Sequence, residues 1–250
     1  MLYVELPDSL AYDRLETRLG QNPDVKSISG SIHHLGSDHA SKIIYYLENQ
    51  YEVDHLSVGP TYFQTMDLQL SAGRFFKEDA ENDKTAIIVN ELFIKNLGVA
   101  NPVGEIVEMN DLRYEIVGVV SDFHLYNFYY EVLPTMFTLA DERDYKYMEV
   151  KAEEASQPEL YASIKKEWPQ LYPEIPFQGG FQAQLWDGFY KDLQTQKVFS
   201  RTIAIIAILL SSLGLYGLVT LNVSGRVREF SVRKVLGAGG SSLMKNVGKQ

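Results

Sequence analysis

Thr202-Ile-Ala-Ile-Ile-Ala-Ile-Leu-Leu-Ser-Ser-Leu-Gly-Leu-Tyr-Gly-Leu-Val-Thr-Leu-Asn-Val-Ser-Gly225 is a run of 24 residues without a charged side chain. A hydrocarbon layer about 30 Å thick is crossed by roughly 20 helical residues, so the run predicts one transmembrane helix. The alternative, a buried helix of a soluble protein, is usually shorter and carries a polar face. Here only Ser211, Ser212, Thr220 and Asn222 could supply one. Everything else must then lie on one side of a bilayer or the other.

The two sides of this helix carry opposite charge. Of 23 basic and 33 acidic residues, seven and one lie in 199–250, which leaves 16 basic and 32 acidic residues in the preceding body. Lys191, Lys197 and Arg201 precede the helix; Arg226, Arg228, Arg233 and Lys234 follow it, with Lys245 and Lys249 beyond. The positive-inside rule therefore places the tail in the cytoplasm and the acidic body outside the inner membrane. Such an acidic body is unsuited to nucleic acid. The chain has no cysteine, which excludes disulfide staples and thiolate metal sites. Its opening, Met1-Leu-Tyr-Val-Glu-Leu-Pro7, lacks the basic and apolar regions of a signal peptide. An outer body is thus expected to depend on an upstream signal or span, and the chain to be a fragment of a longer membrane protein.

The body reads as α+β, with a mixed sheet over 1–182. Leu2 to Leu6 predicts a strand, Leu10, Tyr12, Leu15 and Leu19 a helix ended by Gly20, and Val25 to Ser31 a strand, a unit long enough for a parallel crossover. Ile43 to Val58 predicts one or two strands. Thr61 and Gln64 have the spacing of a capping box, Ser71 to Arg74 reads as a turn, and Phe75 and Phe76 as core anchors. Thr85 to Val89 is a buried-type strand, and Asn90 caps a helix that Gly98 ends. Asn110-Asp111 joins two strands as a tight hairpin. Leu133 to Phe137 and Tyr147 to Val150 add strands, Pro158 opens a helix carrying Leu160, Ile164 and Trp168, and Phe177 to Phe181 forms an edge strand. From Ala183 the period is helical, and 183–201 is expected to be a stalk continuous with the span at 202–225.

Chemistry-bearing motifs are few. His33, His34, Asp38 and His39 fit no structural zinc spacing, and the stretch reads as a solvated polar loop. Asp122 and His124 juxtapose a carboxylate and an imidazole that could serve an outer hydrolase, but a strand-end turn with Asp122 bonding local amides is the simpler reading. No phosphate-binding glycine loop, dinucleotide fingerprint or Gly-x-Ser-x-Gly elbow occurs. No catalytic, cofactor or metal site is assigned.

Within the span, Ala204, Ala207, Ser211, Gly214 and Gly217 recur on one helical face, where small residues let a neighbouring helix approach closely. Beyond it, Arg226, Glu229 and Arg233 can form a row of ion pairs, beside an apolar patch of Val232, Val235 and Leu236. The generic reading of 226–250 is a basic segment resting on anionic lipid or a docking surface for a protein.

Leu213-Gly-Leu-Tyr-Gly-Leu218, followed by Arg226 and by Arg228-Glu-Phe-Ser-Val-Arg-Lys-Val-Leu-Gly-Ala238, resembles the start of the FtsX-like permease domain of ABC transporters. The body resembles the MacB-like periplasmic core domain in three places. These are Tyr62-Phe-Gln-Thr-Met66 with Gly73-Arg-Phe75, Ala86-Ile-Ile-Val-Asn90 with Pro102-Val-Gly104, and Ile116 to His124 with Pro134. Members often carry Glu-Ile-Gly-Ile where this chain has Glu229-Phe-Ser-Val232.

The resemblance implies a truncated permease subunit, the second of two span-plus-outer-domain units, that couples ATP hydrolysis by a separate ATPase subunit to movement of the outer domain. It implies that Arg226, Arg228, Glu229, Arg233, Lys234 and Gly237 meet that ATPase. The small-residue stripe would pack on other spans of the permease or on a homodimer partner. A single-span sensor or binding protein with an outer recognition domain is the competing class.

Overall fold

A computed structural model describes residues 1–36, 40–77, 81–125 and 131–235, with side chains described for these except at 81, 82, 186–194, 225–231, 233 and 234. The chain divides into two units, Met1–Gly188 and Phe189–Gln250. Among its described residues the first holds eleven strands in one connected sheet system.

The outermost elements of that unit are β1 (Leu2–Glu5), α1 (Ala11–Leu19), β2 (Val25–Ser31), β10 (Tyr147–Ala152), α4 (Gln157–Leu171) and β11 (Gly179–Phe181). Their strand order is β11-β1-β10-β2, antiparallel throughout, which makes a ferredoxin-like βαββαβ lobe. β1 and β2 do run parallel, but they do not pair, because β10 lies between them. That strand is more than 100 residues away, so a local β-α-β reading could not place it. Tyr12, Leu15 and Leu19 of α1 meet Leu160, Ile164 and Trp168 of α4 and Met148 and Val150 of β10 in one core. Leu10 precedes α1 and is exposed. β11 is the edge strand.

Between β2 and β10 the chain builds a second lobe from β3 (Ala40–Tyr46), β4 (Asn49–Val58), α2 (Tyr62–Thr65), β5 (Leu70–Gly73), β6 (Ala86–Asn90), α3 (Glu91–Leu97), β7 (Ile106–Met109), β8 (Leu112–Val120) and β9 (Thr135–Leu139). The order β4-β3-β7-β8-β6-β9 returns to β4 through a parallel β4–β9 pairing, so six strands close into a barrel. Its thinnest seam is β3–β7, paired only at Tyr45 and Glu108. Closure buries one face of β6 and packing against α2 and Phe76 buries the other, which is why β6 is apolar without alternation. Ala86 and Ile88 face a cluster with Tyr62 and Phe63 of α2, while Ile87 and Val89 face another with Phe93 of α3.

Local signals held where partners are near in sequence. Asn90 accepts from the Phe93 amide at 3.1 Å, Gly98 takes φ 71°, and Asn110 and Asp111 take φ 52° and 62° in the β7–β8 hairpin. They failed at α2 and β5. Thr61 donates to the carbonyl of Ile28 on β2 at 2.8 Å instead of capping its own helix, because α2 is docked on that strand. Ser71 to Gly73, expected as part of a turn, is strand paired with the end of β8, and Gly73 at φ 76° ends it.

Candidate functional site

The second unit is dominated by α5 (Asp187–Val235), 49 residues without a break. Within it Thr195–Ser224 is long and apolar enough to cross a membrane, its most apolar 18 residues having mean hydropathy 2.2, none of them buried. At 1.5 Å per residue these 30 residues extend about 45 Å, more than a hydrocarbon layer requires. Apolar side chains are bare all around the helix, from Ile203 at 51% exposure through Leu213 at 66% to Leu221 at 73%. A buried soluble helix would not show this, and bare apolar surface on such a scale marks a membrane or partner interface.

Two of the hydroxyls that might have made a polar face, Ser212 and Thr220, fold back, as does Thr202. Thr202, Ser212 and Thr220 donate to the carbonyls of Val198, Ile208 and Tyr216 at 2.9, 2.8 and 2.8 Å, which satisfies them inside the helix as lipid demands. Ala204, Ala207, Ser211 and Gly214 are exposed along α5, and a Cβ placed on Gly214 or Gly217 would meet nothing within 4 Å. Arg226, Arg228, Glu229, Arg233 and Lys234 have helical backbone at the end of α5, with side chains outside the described set. Gly237 lies outside the described residues. Val232 and Val235 are exposed.

In the first unit the two polar motifs serve distant elements. Asp122 Oδ1 accepts from the Leu92 amide at 2.8 Å and from the Asn90 side chain at 2.9 Å. The expected local amides are thus replaced by the start of α3, which Asp122 helps to cap from the segment that follows β8. His33 accepts the Ser57 amide at 3.1 Å. His34 is not solvated as expected but fully buried, with Nδ1 3.0 Å from Oε1 of Glu149. The reason is a carboxylate 115 residues on in the chain, so no local spacing could have shown it. Asp38 and His39 lie outside the described residues. Among the described residues no group of three or more His, Asp or Glu is placed to hold a metal ion.

His55 is a second buried imidazole, missed because it sits in an ordinary strand pattern. Its Nε2 lies 2.8 Å from Thr138 Oγ1, and Nδ1 has no hydrogen-bond partner. Burial first, then the charges of His33 and Lys42, pull its pKa from 6.5 down to about 4. A depressed base is neutral in the fold, so its contribution is complete above about pH 6.5 and is lost as pH falls toward 4. By linkage this amounts to about 3 kcal/mol. Urea unfolding of the intact chain in detergent should therefore show lower stability at pH 4 than at pH 7. In His55→Gln that acid-induced loss should shrink; equal losses in both chains would exclude His55 as its source.

A ferredoxin-like lobe with a barrel inserted between its second and third strands, leading to one bare apolar helix, defines an extramembrane α+β domain beside a candidate span. The chain belongs to the MacB-like periplasmic core domain family, whose profile matches residues 4–167. It is 22% identical over 249 residues to the macrolide export ATP-binding/permease protein MacB of Bdellovibrio bacteriovorus, covering 92% of this chain and 37% of that protein. It is 23% identical over 229 residues to the uncharacterized ABC transporter permease YknZ of Bacillus subtilis, covering 86% and 56%. The chain thus spans about a third to just over half the length of the curated relatives it matches.

The fold resembles the periplasmic region of MacB from Actinobacillus actinomycetemcomitans, with a TM-score of 0.55 at 16% identity over 76% of this chain and 92% of that one. It also resembles the extracellular domain of YknZ from Gram-positive bacteria, at 0.53 and 18% over 72% and 99%.

Proposed function

We propose that this chain belongs to a permease subunit of an ABC transporter that works by mechanotransmission, with residues 1–182 outside the inner membrane, 183–201 as a stalk, 202–225 as the span and 226–250 as a cytoplasmic coupling segment. The observation that carries the reading is α5 itself, one unbroken helix from Asp187 through the apolar stretch into the basic segment. A continuous helix is stiff enough to convey displacement from one end to the other. No pore through this chain is required for that work.

In this reading ATP is hydrolysed by a separate ATPase subunit. Arg226, Arg228, Glu229, Arg233, Lys234 and Gly237 meet it by charge pairing and close packing, and the tail also rests on anionic lipid. Ala204, Ala207, Ser211, Gly214 and Gly217 pack against other spans of the permease or a homodimer partner. Support comes from the MacB and YknZ relatives, which are named as permeases.

Charge reversal at one buried interfacial pair commonly costs 2 kcal/mol or more. Arg233→Glu in the intact complex should then weaken ATPase association by about tenfold or more, and lower stimulated hydrolysis with it. Unchanged association and hydrolysis would rule out this coupling role.

A further inference from the structure

In the ferredoxin-like lobe, Met148 and Val150 of β10 point into the core beneath α1 and α4. Glu149 lies between them and so points to the opposite face, yet it is completely buried. Ser31 donates to its Oε1 at 2.6 Å, and His34 Nδ1 lies 3.0 Å from the same oxygen. The His34 ring stacks against Tyr3 and Tyr147, with centroids 4.7 and 5.4 Å away. What covers this face is the inserted lobe. Tyr62 of α2 is fully buried, and its hydroxyl is held well above the ordinary tyrosine range by burial and then by the charge of Glu149.

The two lobes share little regular pairing. β2 and β4 meet at one residue pair, Ser31 with Val58. Thr61 bonds Ile28, and Lys151 reaches Asp67 at the solvent-exposed side. The buried carboxylate is different in kind, because losing its partners would strand a charge away from water. His34 lies on the segment that leaves β2 for the inserted lobe, so a shift of that lobe pulls directly on this buried pair.

The next residue along extends this centre. Leu35 accepts from Gln182 Nε2 at 2.8 Å, and the Gln182 amide donates to Met1 at 3.1 Å. Gln182 opens the short 3-10 turn, Gln182–Trp186, that leads into α5. We propose that the Glu149–His34 pair is the joint that sets the angle between the two lobes, and that the Leu35–Gln182 contact braces this joint against the chain segment after β11. The inference stands on the first unit alone and does not depend on the transporter reading.

The chain has no native cysteine, so two nitroxide labels can be placed without background. Lys95→Cys on α3 and Gln170→Cys on α4 are exposed positions, one in each lobe. Double electron–electron resonance on the intact chain in detergent should give one narrow distance. Glu149→Gln keeps the shape and removes the charge; the narrow distance should be lost and a second population should appear. Gln182→Ala should also broaden the distribution. A parent-like distribution in folded Glu149→Gln would overturn the joint, and one in Gln182→Ala would overturn the bracing role of the Leu35–Gln182 contact. If Glu149→Gln fails to fold, Ser31→Ala removes only the 2.6 Å bond and is read by the same two outcomes.

Discussion

Trp168→Ala should destabilise the first unit by about 3–5 kcal/mol, the usual cost of emptying a large aromatic site. Trp168 is 2% exposed, its ring lies 5.0 and 5.2 Å from those of Tyr172 and Phe177, and its Nε1 donates to the Ile175 carbonyl at 2.9 Å. Alanine removes the ring that joins α4 to the segment before β11 and leaves that carbonyl unpaired. Thermal unfolding followed by circular dichroism should show a midpoint lowered by roughly 10 °C. Lys166→Ala, on the exposed side of the same helix, should move it little. Similar midpoints for the two variants would mean that this lobe is not the stabilising core described.

Gly73→Ala should have an effect of similar size in the other lobe. Gly73 has φ 76°, and a Cβ there would lie 2.2 Å from the Val117 carbonyl oxygen and 2.9 Å from Gly118 Cα. Both obstacles are backbone, so no side-chain rotation relieves them. Conformational strain and overpacking together cost about 3 kcal/mol or more. β5 should separate from the end of β8, exposing the amides of Arg74 and Ser121, which donate to Val117 and Gln69. Hydrogen exchange at those amides should quicken. Gly98 has nearly the same φ, 71°, but nothing stands within 4 Å of its added Cβ, so Gly98→Ala should cost only about 1 kcal/mol. Equal losses at the two glycines would show that backbone conformation, not the close approach, decides both.

These expectations depend on contacts of very different legibility. Asn90, Gly98 and the Asn110-Asp111 turn act within a few residues of themselves, so their types and spacing carried the structure directly. Leu160, Ile164 and Trp168 showed their face by helical period alone. Thr61 had a complete capping signature and still bonded elsewhere, since a strand 33 residues earlier offered its carbonyl first. Asp122 likewise went to the start of α3.

By itself the amino-acid sequence determined the apolar helix, the charge asymmetry across it, most of the strands and helices of the outer lobes, and the family resemblance. Each is a property of runs, periods or short motifs, which survive without knowledge of what the chain folds against. Only the tertiary structure decided that β10 separates β1 from β2, that β9 closes a barrel on β4, and that His34 is buried on Glu149. Those outcomes are choices among partners roughly 80 to 150 residues apart. Burial energy summed over whole faces makes such choices, and no local pattern records it.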